Sequence, residues 1–145
     1  MSELDDIVDI FDLLGDWDAR YQYLVELGEK LPPFPDEQRT EDNRVKACMS
    51  KVWIHASPDP AGGGRIRIQG DCDTSIIKGV VALLVQLTSG KTLEEIEALD
   101  IDEMFQRLGL FEHLSPTRHV GVYAIVELLK QKARDVAAAA SRRAV

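Results

Sequence analysis

The hydrophobic pattern of this chain has the helical spacing of three and four residues at both ends and an alternating, strand-like period in the middle. This change of period limits the folds that the chain can adopt. From residue 50 apolar and polar side chains alternate, so that Val52 and Ile54 share one face of a strand. Residues 57–64 read Ser-Pro-Asp-Pro-Ala-Gly-Gly-Gly, a composition typical of a turn, and the alternation resumes over 65–69. The pattern predicts an antiparallel hairpin.

Apolar residues spaced three and four apart, the signature of amphipathic helices, occupy the chain on both sides of this hairpin. Helices are predicted at residues 4–14, from a cap at Asp16 to Pro32-Pro33, at 75–89, after a capping box at Thr92–Glu95, at 102–108, and from Ser115-Pro116 to a set of fraying alanines near residue 140. Residues 31–42 are predicted to be an irregular surface loop, and 44–47 are a candidate third strand. We therefore predict an α+β fold, with a small antiparallel sheet packed against helices from both ends of the chain.

Length and charge narrow the class of protein. A chain of 145 residues with 45% apolar residues is long enough for one domain, residues 1–145, with a real core. The net charge of −8 argues against nucleic acid as a partner, because phosphate binding needs a basic surface. No apolar run approaches the roughly 20 residues that span a bilayer, and the first residues are acidic rather than basic. We expect a cytoplasmic protein without a membrane partner, and reduced cysteines.

Cys48 stands where a polar loop leads into the first predicted strand, with Arg44, Lys46 and Lys51 within four residues. The thiolate is the nucleophilic form of cysteine, and nearby cations favour it, so this setting suits thiol exchange. The alternative is a buried cysteine that behaves as a small hydrophobe, beside basic residues that only form a solvated face.

Residues 43–53 read Asn-Arg-Val-Lys-Ala-Cys-Met-Ser-Lys-Val-Trp. This run resembles the cysteine loop of the SufE/CsdE family of sulfur acceptor proteins, which has Asn, an aliphatic residue, Gly-Cys, Ser and Val-Trp at the same spacing. Ala47 replaces the family glycine, and at a positive φ an alanine would cost about 1 kcal/mol. Similar segments follow the family's order at 23–31, 69–79 and 113–121, so the resemblance covers nearly the whole chain.

The resemblance implies a fold similar to that of iron–sulfur scaffold proteins and a role in sulfur transfer. Cys48 would take sulfane sulfur, as a persulfide, from a pyridoxal-phosphate-dependent cysteine desulfurase of the SufS or CsdA type, and pass it to an iron–sulfur scaffold complex. The chain itself would need no cofactor, and would stimulate the desulfurase rather than act as a stand-alone enzyme. The persulfide needs shielding, so we expect a partly or wholly buried Cys48 over an apolar pocket that Val45, Met49 and Trp53 line.

The remaining site residues are expected to support the site or bind the partner. Five of them match the family, Arg118, Asp73, Lys78, Asn43 and Trp53, and Arg44 joins them as a cation near Cys48. Arg118 has an argument of its own, because a cation in the first turn of a helix is opposed by the helix dipole and therefore calls for an anionic or carbonyl partner. Its alternative is an ordinary surface arginine, and Asp73 and Lys78 would then only cap or solubilise their helix.

Cys72 occupies a position where the family usually has serine or another small residue. It is either a small residue at a helix entrance or a second thiol that resolves or relays a Cys48 persulfide. The contrasting function is an iron–sulfur scaffold or interaction module with Cys48 and Cys72 as ligands. We predict no metal site, because neither cysteine belongs to a Cys-x-x-Cys pair. A cysteine hydrolase that uses His55 is disfavoured, since no oxyanion-hole signature is present.

Overall fold

The computed structural model describes residues 3–47 and 50–143, without the side chains of residues 111 and 143. The elements in chain order are α1 (Glu3–Leu14), α2 (Trp17–Glu29), a 3₁₀ turn (Asp36–Gln38), β1 (Val52–Pro58), β2 (Arg65–Cys72), α3 (Ser75–Thr88), β3 (Lys91–Thr92), α4 (Leu93–Glu97), α5 (Ile101–Leu108), α6 (Leu110–His113) and α7 (Pro116–Arg143). The predicted α+β class is confirmed.

The sheet is antiparallel in the order β1-β2-β3. β1 and β2 form the predicted hairpin, whose register runs from Val52 opposite Cys72 to Pro58 opposite Ile66. The prediction of a third strand at 44–47 was wrong. The third strand is β3, which pairs with the start of β2. A strand of two residues is too short to show a period of two, so the sequence pattern could not reveal it.

The turn of the hairpin lies at the end of the sheet far from residue 52. Gly62, Gly63 and Gly64 all have a positive φ, of 74°, 69° and 73°, and a Cβ on any of them would meet open space. Asp59 closes the turn, because its carboxylate accepts from the N–H of Ala61 at 2.8 Å and its carbonyl accepts from Gly62 at 2.9 Å.

The core lies between one face of the sheet and the helices α3 and α7. Val52, Ile54, Ile66 and Ile68 are buried, whereas the strand residues between them are half-buried or exposed. α7 turns its predicted inner face to this core, and the buried residues are Val122, Ile125, Val126, Leu129 and Ala133. In the part of the chain that the structure describes, no helix combines the length and apolar character needed to cross a membrane.

The helix ends test the predicted caps. Asp16 caps α2, accepting from the N–H of Ala19 at 2.8 Å, and Thr92 forms the capping box with Glu95.

The short helix α6 was not predicted. The prediction of fraying alanines was wrong, since α7 continues to Arg143. Alanine has the highest helix propensity, and Val136 packs against the core in the same stretch.

α2 and α3 cross at two glycines. A Cβ on Gly28 would lie 3.0 Å from the backbone nitrogen of Gly79, and a Cβ on Gly79 would lie 2.9 Å from the Cβ of Leu24 and nearer still to that residue's carbonyl group. The obstacle in both cases is backbone, which moves less easily than the end of a flexible side chain. The two helices therefore pack closely because both residues lack a side chain.

We expect Gly79→Ala to lower the free energy of unfolding by about 3 kcal/mol, the upper part of the range usual for overpacking. Urea denaturation measures this loss. The matched control is Gly62→Ala, which adds the same methyl group at a positive φ in open space and should cost only about 1 kcal/mol. Equal losses in the two variants would contradict the importance of the helix contact.

Candidate functional site

The loop that contains Cys48 begins and ends on adjacent backbone segments. Residues 43–45 run beside the start of β1, with the N–H of Ile54 donating to the carbonyl of Asn43 at 2.8 Å and that of Val45 donating to the carbonyl of Val52 at 2.9 Å. Arg44 and Trp53 form an isolated antiparallel bridge between these two bonds. The segment 46–51, which we call the cysteine loop, therefore has a hydrogen-bonded base.

Cys48 and Met49 occupy the middle of this loop and lie outside the described residues. The expected burial of Cys48 and the expected contact of Met49 with a pocket therefore stay predictions. The residues just before them, Lys46 and Ala47, are exposed.

The second half of the loop is attached to the entrance of α3. The hydroxyl oxygens of Ser50 and Thr74 are 2.7 Å apart, and the N–H of Lys51 donates to Oδ1 of Asp73 at 2.9 Å. The N–H of Asp73 donates back to the carbonyl of Lys51 at 3.1 Å. Thr74 is the N-cap of α3, but its side chain makes no capping hydrogen bond. Asp73 and Thr74 thus hold the second half of the cysteine loop; support of the site was the role expected of Asp73, with helix capping as its alternative.

Asn43 anchors the first half. Its side chain is buried, and its Nδ2 donates to the carbonyl oxygen of Gln38 at 2.8 Å and to Oε1 of the same residue at 3.1 Å. The segment 31–42, predicted as an irregular surface loop, contains the 3₁₀ turn and a buried Phe34. This segment is therefore packed against the protein next to the cysteine loop.

Arg39 is a site residue that the sequence did not reveal. Its Nη2 lies 2.8 Å from Oδ2 of Asp71 and its Nε 3.2 Å from Oδ1 of Asp36. Its guanidinium carbon lies 4.9 Å from the ring centroid of Trp53 and 5.3 Å from that of Phe34. The only available signal was one basic residue in an acidic, proline-rich segment, which gives no indication of these contacts.

Asp71 is the acidic partner of two cations. Burial would raise the pKa of its carboxyl group, but the hydrogen bond from Arg39, the bond from the N–H of Cys72 at 2.8 Å and the nearby charge of Lys78 hold that pKa below its usual value. Nζ of Lys78 is 3.5 Å from Oδ1. Lys78 thus pairs with Asp71 rather than serving only as a solvated residue of α3.

The basic residues around Cys48 differ in their pairing. Lys46 forms an ion pair with Glu41, which compensates part of its charge, while Lys51 is exposed. Arg44 is half-buried and forms no ion pair with any residue that the structure describes. Arg44 and Lys51 are therefore the two cations near Cys48 in sequence whose charge no described ion pair compensates.

A groove of about 740 Å³ lies between residues 44–47 and α7. Val45 lines it as expected, but Trp53 is not among its described lining residues. The groove combines apolar residues with Lys46, Lys130 and Arg134, and the expected apolar pocket under Cys48 stays a prediction because positions 48 and 49 lie outside the described residues. The charged residues of α7 extend along the groove because they lie on the edge of the helix that borders the loop.

Cys72 ends β2 directly opposite Val52, and therefore lies beside the base of the cysteine loop. Its side chain is buried, and its Sγ accepts a hydrogen bond from the N–H of Thr74 at 3.4 Å. This position suits both roles that the sequence left open, a small residue at a helix entrance and a second thiol.

Arg118 lies in the first turn of α7, as predicted, and its N–H donates to Oγ of Ser115 at 3.3 Å. Its Nη1 is buried and finds no hydrogen-bond partner in residues 3–47 and 50–143. No ion pair or hydrogen bond joins it to the described residues around the loop base. The expected role of Arg118 at the site is therefore neither supported nor opposed by its described contacts.

His55 lies on β1 in a half-buried position. Burial lowers the pKa of its imidazole, and the positive charges of Lys132 and Arg67 lower it further. Among the residues that the structure describes, no group of three His, Cys, Asp or Glu side chains is arranged to hold a metal ion.

The fold is shared with a solved structure. The solution structure of a hypothetical protein from Thermus thermophilus superposes with a TM-score of 0.75 at 24% identity, covering 94% of this chain and 98% of that one. At this level of identity the likeness shows the α+β fold alone.

The sequence comparisons define the family. The SufE family model, described as an Fe-S metabolism associated domain, matches residues 5–133. An uncharacterised SufE-like protein from Rhizobium etli is 42% identical over 141 residues, covering 96% of this chain and 95% of that protein. A second, from Rhizobium meliloti, is 38% identical over 135 residues, covering 92% and 96%. The chain belongs to the SufE family, which implies a role in iron–sulfur metabolism.

The lowered pKa of Asp71 predicts how stability depends on pH. A carboxylate with a lowered folded-state pKa stabilises the fold above its ordinary pKa of 3.8, and this contribution is lost as the pH falls through the folded-state value. We expect Asp71→Asn to be less stable than wild type at neutral pH, and the difference to shrink between about pH 5 and pH 2. Urea midpoints across this range measure it.

Asp9→Asn, at an exposed carboxylate of α1, is the control for this series. A stability difference between Asp71→Asn and wild type that stays constant down to the lowest pH would contradict the stabilising ion pairs of Asp71.

Proposed function

We propose that this chain accepts sulfane sulfur on Cys48 from a pyridoxal-phosphate-dependent cysteine desulfurase and passes it on to an iron–sulfur scaffold complex. The observation that carries the proposal is the short loop 46–51, which is tied to the sheet on one side and to the entrance of α3 on the other. Membership of the SufE family supports the same conclusion. We place this activity in the cytoplasm, where thiols are kept reduced.

The transfer is a thiol–persulfide exchange. The Cys48 thiolate attacks the outer sulfur of the donor's cysteine persulfide, the S–S bond of the donor breaks, and the donor cysteine leaves as a thiolate. The new bond gives Cys48 as a persulfide, so one sulfur moves with no net oxidation. Since the donor cysteine is released for another turnover, we expect the chain to stimulate its desulfurase.

The loop meets the geometric demand of this exchange. Its base is joined to β1 by the backbone bonds of Asn43 and Val45 before a partner binds. Its first residues, Lys46 and Ala47, are exposed and available for contact. A short tethered loop loses less conformational entropy on entering a donor site than a free segment of the same length.

The supporting residues other than Arg118 fall into three roles in this proposal. Asn43 and Asp73 hold the two halves of the loop, and Trp53 with Lys78 belongs to the group around Asp71 beside it. Arg44 supplies positive charge four residues before Cys48 in the sequence. Such a charge favours the thiolate that attacks the persulfide.

Arg118 is assigned to partner binding. Its buried Nη1 has a donor that no described residue satisfies, and leaving a buried donor unsatisfied costs about 1–3 kcal/mol. Rotation of the Arg118 side chain on binding would bring this donor to a backbone carbonyl or carboxylate of the desulfurase. The cost in the isolated chain would then be recovered on binding.

Incubation with a cysteine desulfurase and cysteine, followed by intact-protein mass spectrometry and peptide mapping, tests the proposal. We expect one added sulfur on Cys48 in wild type and in Cys72→Ser, and none in Cys48→Ser, because Cys72 is buried and is not the primary acceptor. The persulfide charge on the desulfurase itself is measured in the same samples.

An uncharged Cys48 beside a fully charged desulfurase would count against the transfer for that pair. An uncharged Cys48 with both a SufS-like and a CsdA-like desulfurase would reject the proposal. Iron titration with a search for a cluster absorption band would then test the alternative, a scaffold with Cys48 and Cys72 as ligands. Retention of sulfur on Cys48 in Cys72→Ser at the wild-type level would also exclude a relay through Cys72.

A further inference from the structure

Arg39 touches both strands of the hairpin next to the base of the cysteine loop. Trp53 of β1 and Asp71 of β2 are directly paired across the hairpin, and the guanidinium group contacts both of them. We propose that Arg39 is a positioning residue for Cys48, which it serves through Trp53, Asp71 and Asn43. The inference deepens the proposed function and rests on it, since Cys48 is the residue positioned.

The contacts of Arg39 require the shape of an arginine. Its planar guanidinium lies 4.9 Å from the ring centroid of Trp53 and 5.3 Å from that of Phe34 while its edge pairs with Asp71. A guanidinium presents its N–H groups in its own plane and can stack through its faces at the same time. A lysine ammonium is a point charge, so it can keep the pairing but not the stacked arrangement.

The position of Arg39 connects these contacts to the loop. Its neighbour Gln38 accepts both hydrogen bonds from the side chain of Asn43. The carbonyl of Asn43 in turn accepts from the N–H of Ile54, the bond that starts the base of the loop. Arg39 thus fixes the segment before the loop to the strand after it.

The effect of this arrangement is to hold the loop base against the sheet. Two of the groups involved are largely shielded, with 31% of the Arg39 side chain and 18% of the Asp71 side chain exposed. Ion pairs shielded to this degree are less weakened by water than those at the open surface. Without Arg39, residues 36–39 lose their side-chain contacts with Asp71 and Trp53, and the backbone bonds at residues 43–45 are left to hold the loop base against the sheet.

The test measures alkylation of Cys48 by iodoacetamide, followed by peptide mapping, in wild type, Arg39→Gln and Arg39→Lys. Rates are collected from about pH 6 to pH 10, so that the limiting rate at high pH, which reports access, is separated from the midpoint, which reports ionisation. No desulfurase is present. All variants are assayed without denaturant, after urea curves have shown that they are folded.

Arg20→Lys is the matched control. Arg20 also lies over two aromatic rings, 5.1 Å from Trp17 and 5.7 Å from Phe11, and its Nε donates to the carbonyl of Phe11 at 3.0 Å. It belongs to the contact between α1 and α2, away from the loop base. A general loss of stability would appear in this variant too, whereas a loss of positioning would not.

We expect the limiting alkylation rate of Cys48 to rise at least about threefold in Arg39→Gln and less in Arg39→Lys, the order of coupling seen between residues in contact. The midpoint of the pH dependence in the Arg39 variants and the limiting alkylation rate in Arg20→Lys should both stay unchanged. Asp71→Asn should raise the rate as well, and the double variant Arg39→Gln/Asp71→Asn no further than the larger single effect.

Three results would overturn the inference: a limiting rate in folded Arg39→Gln that is unchanged or lower, a change in the midpoint alone, or an equal rise in Arg20→Lys. Its failure is distinct from that of the proposed function. If Cys48 accepts sulfur but its alkylation rate is unaltered in the Arg39 variants, only the inference is rejected. If the alkylation rate is altered but no desulfurase transfers sulfur to Cys48, only the transfer is rejected.

Discussion

The two backbone hydrogen bonds that join residues 43–45 to the start of β1 are the constraint on which the site depends. They convert the segment before Cys48 into a partner of the strand after it, so the cysteine loop is closed at its base by main-chain contacts. Such contacts do not depend on side-chain identity, so the closure forms with Ala47 in the loop, and no non-glycine residue among those that the structure describes has a positive φ. Side chains then add what the backbone cannot: Asn43 on one side of the loop and Asp73 on the other.

The two faces of the hairpin have separate tasks. One face carries Val52 and Ile54 into the core under α3 and α7, which stabilises the domain. The other carries Trp53 beside Asp71, and these residues receive Arg39 from a segment that has no regular strand or helix beyond a single 3₁₀ turn. Because strand side chains alternate, a change on the site face leaves the core face intact. The chain can therefore vary its chemistry without losing its fold.

The sequence revealed the features that depend on local pattern. Hydrophobic period predicted the hairpin and the long helices, and the capping box at Thr92 was visible because its residues are three positions apart. Long-range pairing was not visible. Arg39 meets Asp71 across 32 residues of chain, and β3 has only two residues, so neither leaves a periodic signal. The likeness to a family identified Asn43 and Asp73, but their contacts with Gln38 and Lys51 required coordinates.

The glycine turn of the hairpin has a practical consequence that follows from its position. Six residue steps of about 3.3 Å separate the turn end of β1 from its start at Val52, so the turn lies roughly 20 Å from the base of the cysteine loop. Gly62, Gly63 and Gly64 face open space on all sides. A fluorescent dye, an affinity tag or a surface linker attached there would leave both the loop and its groove unobstructed, so the protein can be immobilised with its cysteine loop facing the solution.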